Sequence, residues 1–114
     1  MIEVLVVAIF GGLGALLRNW LGLWKGKLPW GILIANTLAT AVAAAALVLD
    51  PRLSLMLIVG LAGGLSTFST FVAQTWQLLH DGKRVSAFTN VVLNIIFPST
   101  AVAIVVLCLP SLVN

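Results

Sequence analysis

Positions 66–71 of this chain read Ser-Thr-Phe-Ser-Thr-Phe, four hydroxyls and two rings in six residues, just after Gly60, Gly63 and Gly64. These side chains offer O–H donors and aromatic edges, where the ring quadrupole is positive. Asn36, Thr37 and Thr40 lie deep in another apolar stretch, and Asn90 and Asn94 in a third, ahead of Pro98, Ser99 and Thr100. Asn36 and Thr40 share a helical face at i and i+4, as do Asn90 and Asn94. Amide N–H, hydroxyl O–H and ring edge all present positive character without formal charge. A small, strongly hydrated anion needs several such donors in exchange for its water. A cation would use carbonyls freed where a helix breaks. Carboxylates are missing from the interior: Glu3, Asp50 and Asp81 sit near segment ends, and the single histidine, His80, is in a loop. With no embedded acid, no acid–base pair and no metal-ligand cluster, catalysis is not expected. The residues therefore point to a passive path for a small anion, with a cation site at a helix break, and leave the ion unnamed.

The elements that position them are membrane spans. Of 114 residues, 61% are hydrophobic and 8% charged, which excludes an ordinary soluble domain and reads as one membrane domain over 1–114. Apolar segments at 2–24, 28–49, 53–79 and 85–109 are each long enough to cross about 30 Å of hydrocarbon as helices. Their links are short and carry most of the charge, so neighbours should run antiparallel in an all-α bundle. Trp20, Trp24, Trp30 and Trp76 fall near segment ends, where indoles anchor at the interface. The net charge of +3 lies on no nucleic-acid motif, and no nucleic-acid partner is expected. Cys108 alone excludes an internal disulfide.

The glycines admit two readings. They weaken the third helix, and the hydroxyls that follow offer its backbone other partners, which suits a discontinuous span. Alternatively Gly60, Gly63 and Gly64 form a face that lets another helix approach closely. In the first span Gly11, Gly14 and Ala15 make a similar face, continued one turn later by Arg18, which either snorkels to the interface or is buried against carbonyls. Pro98 removes a backbone donor and favours a kink in the fourth span.

The first-span run at 11–18 (Gly-Gly-Leu-Gly-Ala-Leu-Leu-Arg), Asn36, and the third-span run at 63–71 (Gly-Gly-Leu-Ser-Thr-Phe-Ser-Thr-Phe) together resemble the Fluc (CrcB) fluoride channels. The likeness covers all four spans in order and length. It implies a passive fluoride-selective channel of a prokaryotic inner membrane that exports fluoride and lowers its cytoplasmic concentration. It also implies an antiparallel dimer of four-helix subunits, each with its third helix broken at mid-membrane. On that resemblance Phe68 and Phe71 contact the ion through their ring edges, Asn36 is the pore asparagine, and Thr67 a pore-side hydroxyl. Asn94 falls on the fourth-span polar track. Backbone carbonyls of Gly63 and Ser66 from both subunits hold a structural Na+, and Arg18 closes the first-span signature near the vestibule. The chain departs from the pattern at Ser66 (threonine is usual), Gln74 (glutamate), Asn94 (serine) and Pro98 (a small residue). Two other readings are a small multidrug-resistance-type exporter, which needs a membrane-embedded glutamate that Glu3 is too near the start to provide, and a non-conducting membrane subunit.

Orientation is the last expectation. With Arg18 set aside as helical, one side carries Arg52 alone while the other carries Lys25, Lys27, Lys83 and Arg84, a Lys-plus-Arg ratio of 1 to 4. The positive-inside rule then places both termini outside the cytoplasm, and an antiparallel dimer requires an oppositely oriented paralogue.

Overall fold

The computed structural model describes the backbone of residues 1–113 and the side chains of residues 1–109; Asn114, the last residue of the expected domain, lies outside them. The described chain is all helix and turn. Helix α1 (Ile2–Gly22) and α2 (Trp30–Ala46) precede an interrupted third span: α3 (Pro51–Leu55), a π-helical stretch (Met56–Ala62), α4 (Gly63–Leu65) and α5 (Phe68–His80). Helix α6 (Arg84–Val113) completes the set. Ile2–Gly22, Pro51–His80 and Arg84–Leu109 are each long and apolar enough to cross a membrane.

The second span is shorter than its apolar run. At 17 residues, α2 covers about 26 Å at 1.5 Å per residue, the low end of the spanning range. Pro29 stands at its N-cap, and Asp50 and Pro51 have already begun the next helix. Asp50 Oδ1 accepts from the N–H of Arg52 at 3.1 Å and of Leu53 at 3.2 Å, with Pro51 at the first helical position, where its missing N–H costs nothing. At the other end of the third span the chain reverses on Gly82, whose φ of 76° is the left-handed conformation glycine tolerates best. There Lys83 N–H donates to the Leu78 carbonyl and Gly82 N–H to that of Leu79, closing α5 before α6 starts.

Packing is by backbone proximity more than by large side chains. Helix α2 is central, touching α1, the third span and α6, and its buried residues are mostly small: Gly31, Ala35, Ala39, Ala44 and Ala46, beside Ile32 and Leu33. The third-span glycines meet α1. A Cβ at Gly64 would strike the Gly11 carbonyl, one at Gly14 the Leu61 carbonyl, and one at Gly60 would lie 2.8 Å from Phe10 Cβ. Gly31 meets the Leu21 carbonyl in the same way, fixing α2 over the end of α1. Small residues thus serve close helix approach. They are not where the span breaks: Gly63 has φ −61° and ψ −39°, ordinary helix, and the interruption falls at Ser66 and Thr67. The expected discontinuity of the third span is present at its hydroxyl residues, and the packing reading accounts for the glycines. Helix α6 continues unbroken through Pro98.

Outward faces are apolar. Leu5, Ile9, Leu13 and Leu16 make an exposed stripe along α1, as suits contact with lipid. The ends are chemically distinct. Arg52 pairs with Glu3 at 3.4 Å beside the start of α1, while Lys25, Lys27 and Lys83 gather beyond its far end.

The glycine contacts give an expected outcome for thermal denaturation in detergent. Gly64→Ala must push α1 away and should cost about 1–3 kcal/mol. Gly12→Ala meets nothing within 4 Å and should be neutral or gain up to about 1 kcal/mol from helix propensity.

Candidate functional site

The site is built around the interruption of the third span. Ser66 N–H still closes a helical turn onto the Ala62 carbonyl at 2.9 Å, and then ψ of 152° turns the chain extended. Thr67, at φ −153° and ψ 122°, is the N-cap of α5, its Oγ1 accepting from Thr70 N–H at 3.2 Å. Thr67 N–H, which in an unbroken helix would reach the Gly63 carbonyl, donates instead to Asn36 Oδ1 at 2.8 Å. Asn36 Nδ2 returns a bond to the Thr67 carbonyl at 3.2 Å, so one side chain of α2 satisfies both polar groups of the extended residue. Two helical donors are thereby diverted: that of Thr67 from the Gly63 carbonyl, and that of Thr70 from the Ser66 carbonyl. These are the two carbonyls to which the family resemblance assigns a cation.

Beside the break lies a cavity of about 440 Å³ whose lining includes Asn36, Ser66, Thr67, Phe68, Phe71 and Asn94. The Phe68 and Phe71 rings are 5.9 Å apart and tilted by 52°. Phe71 is half-buried, whereas Phe68 is 78% exposed, and Ser66 and Gly63 are exposed with it. Large ring, hydroxyl and open backbone thus share an uncovered surface halfway along a 30-residue apolar span. Thr67 Oγ1 donates to Thr70 Oγ1 at 3.1 Å, and Thr70 lines a second cavity of about 360 Å³ with Arg18, Lys25 and Gln74. Lys25 and Gln74 continue into a third, of about 290 Å³, where Lys27 and Lys83 join them and Asp81 is the one acid. Positive charge therefore increases from the uncharged break toward one end of the molecule. Gln74 Oε1 is buried between these cavities without a hydrogen-bond partner among the described residues.

Comparison with known proteins decides the family. The family model described as "CrcB-like protein, Camphor Resistance (CrcB)" matches residues 5–107. The chain belongs to the CrcB family. Among its CrcB relatives is a protein named fluoride-specific ion channel FluC from Cronobacter sakazakii, 40% identical, with 88% of this chain and 89% of the relative covered. One of the same name from Klebsiella pneumoniae is 39% identical over 87% of this chain and 90% of the relative. Another from Geotalea uraniireducens is 35% identical over 81% and 84%.

In this CrcB chain the residues singled out from sequence fall into two groups. Asn36, Ser66, Thr67, Phe68, Phe71 and Asn94 converge on one cavity, with Gly63 in the turn before it, while Arg18 stands apart in the second cavity. Asn94 approaches Asn36 with its oxygen: Asn36 Nδ2 donates to Asn94 Oδ1 at 3.2 Å, and Asn94 Nδ2 points away to the Asn90 carbonyl at 2.9 Å and Asn90 Oδ1 at 3.1 Å. Thr37, Thr40 and Thr89 bond carbonyls one turn back in their own helices, at 2.7, 2.7 and 2.8 Å. Sequence reasoning missed Thr75, whose hydroxyl accepts from Asn90 Nδ2 at 2.9 Å. Its spacing one turn after Phe71 was the available signal.

The Asn36 clasp is testable by hydrogen exchange. Asn36→Leu leaves Thr67 N–H unpaired, and its exchange should accelerate by roughly tenfold or more, since a buried unpaired donor costs about 1–3 kcal/mol. Thr40→Val, whose lost bond lies within α2, should leave Thr67 exchange unchanged.

Proposed function

We propose that this chain forms a passive, fluoride-selective channel that lets fluoride leave the cell and lowers its cytoplasmic concentration. The observation that carries the reading is the lining of the cavity at the break: hydroxyls, amides and phenylalanine rings set among Val91, Ile95 and Pro98, with no charged side chain. Such groups replace the water of a small anion and add no carboxylate to repel it. The increase in Lys and Arg toward one end draws anions to the path by field rather than by tight binding. CrcB relatives named fluoride-specific ion channels support fluoride as the ion. That they are bacterial supports a prokaryotic inner membrane. A multidrug exporter is disfavoured because Glu3 is at the end of α1 and paired with Arg52. A non-conducting subunit has no use for hydroxyls and amides gathered at a cavity in an apolar span.

The working unit in this reading is an antiparallel dimer. The exposure of Phe68, Ser66 and Gly63 halfway along a span supports a second subunit over that surface, since lipid is a poor partner for bare polar backbone. A structural Na+ fits the same surface. The Gly63 and Ser66 carbonyls, deprived of Thr67 and Thr70 N–H, are hard oxygen donors, and two from each subunit would hold the ion. When bound, Na+ supplies a fixed positive charge that ties the two breaks together. Arg52 at one end against Lys25, Lys27, Lys83 and Arg84 at the other supports one dominant orientation, termini outside the cytoplasm, and a paralogue of opposite bias as partner.

Two measurements check this. In liposomes holding the chain with its dimer partner, Phe68→Ile and Phe71→Ile should each slow fluoride efflux roughly tenfold or more, equivalent to about 1.4 kcal/mol, while the dimer persists on gel filtration. Wild-type efflux in both variants would refute ring contact with the ion. Expressed alone with a terminal reporter, the chain should be labelled mainly from outside the cytoplasm. Equal labelling from both sides with full efflux would establish a dual-topology homodimer instead.

A further inference from the structure

Asn90 is buried to 2% exposure, the deepest polar side chain among the described residues, and it does not line the cavity. A buried amide requires partners, and those of Asn90 form part of a continuous chain. Thr67 N–H donates to Asn36, Asn36 to Asn94, Asn94 to Asn90, Asn90 to Thr75, and Thr75 Oγ1 to the Phe71 carbonyl at 2.8 Å. Each amide in this chain accepts through oxygen and donates through nitrogen.

The direction is set by the ends. A backbone carbonyl only accepts, so the Thr75 hydroxyl gives its hydrogen to Phe71 and must accept from Asn90. Asn90 therefore turns its oxygen to Asn94, and Asn94 its oxygen to Asn36. At the other end a backbone N–H only donates, so Asn36 must meet Thr67 with oxygen. The two ends demand the same sense, and reversing any one amide would set donor against donor and acceptor against acceptor. Amide orientation, usually ambiguous from shape alone, is here determined by connectivity.

The consequence falls on Asn36. One of its amide hydrogens goes to the Thr67 carbonyl and the other to Asn94 Oδ1, beside the cavity. An anion gains that second hydrogen by taking the place of the Asn94 oxygen, one acceptor for another. Were Asn94 reversed, its own N–H would face Asn36 and turn that hydrogen aside.

We infer that Asn90 and Thr75 are positioning residues of the pathway: acting through Asn94, they aim an Asn36 N–H at the ion's position. This inference rests on the fluoride-channel reading for its role, but not for its geometry. The chain polarises each N–H by the acceptor behind it, so the effect of Thr75 reaches Asn36 across three helices.

The test uses the purified full chain with Thr75→Val and Thr75→Ser, each alone and combined with Asn94→Ala. Fluoride efflux from liposomes is one readout; NMR hydrogen exchange of the Asn36 and Asn94 side-chain amides is the other. Thr75→Val should slow efflux about fivefold to tenfold, the factor one lost hydrogen bond carries, and should speed exchange at both amides. Thr75→Ser, which keeps the hydroxyl, should restore both. In the Asn94→Ala background, Thr75→Val should no longer alter the Asn36 amide. Unchanged amides in Thr75→Val, failure of the serine variant to restore them, or an equal effect at Asn36 without Asn94 would overturn the inference. If the wild-type chain passes no fluoride either alone or reconstituted with its oppositely oriented paralogue, the channel reading fails, and the amide exchange still decides whether the relay exists.

Discussion

A single hydrogen bond, from Thr67 N–H to Asn36 Oδ1, makes the rest of this structure possible. In hydrocarbon no water satisfies a backbone donor that has left its helix, and an orphaned group costs about 1–3 kcal/mol. Asn36 removes that penalty from α2, a different helix, so the third span stays open only while α2 is docked. Docking in turn depends on alanines along α2 and on Gly31 against the Leu21 carbonyl, because a bulkier surface would hold the asparagine away from the break. Packing and polar chemistry are thus coupled through one residue.

The third span divides its work along its length. From Met56 to Leu65 it is a packing element, its small residues set against α1. From Ser66 onward it is a site: Ser66 and Thr67 line the cavity, and α5 restarts under the Thr67 cap with the Phe68 and Phe71 rings beside them. Hydroxyl side chains serve two purposes there. Thr67 caps a helix and also links the cavity at the break to the one lined by Arg18 and Lys25.

Much of this was legible in the residues. Apolar run lengths and charged links disclose four helices, and the alternation of hydroxyls with phenylalanines marks the unusual span. What the residues did not disclose was how the stretch from Gly60 to Phe71 divides its work, the glycines serving contact and the hydroxyl residues the break. Glycine lowers helix stability in isolation, but in a packed span it can also serve contact, and only three-dimensional neighbours reveal which. The span had its alternative bonding partners at Ser66, Thr67 and Asn36, and it opened there. The polarity of the asparagine chain was illegible for a related reason. Sequence shows Asn36, Asn90 and Asn94, but the sense in which each amide turns is dictated by a backbone donor and a backbone acceptor at opposite ends of the network. Thr75, the residue that transmits that sense, looks on sequence like one more membrane threonine bonding its own helix.

The π-helical stretch at Met56–Ala62 has a bearing on how this chain tolerates changes of length. A π turn closes i to i+5 where an α turn closes i to i+4, so it accommodates surplus chain without unwinding. Between the Asp50 cap and the break, the span therefore carries slack on its packing side. Losing a residue there lets the stretch tighten to α-helix while Gly64 and Thr67 keep their facing. Downstream, Thr67 and Thr75 are joined, two turns apart, to Asn36 of α2 and Asn90 of α6, and no slack is available. Insertions and deletions should accordingly accumulate before Gly63 and be excluded after Ser66.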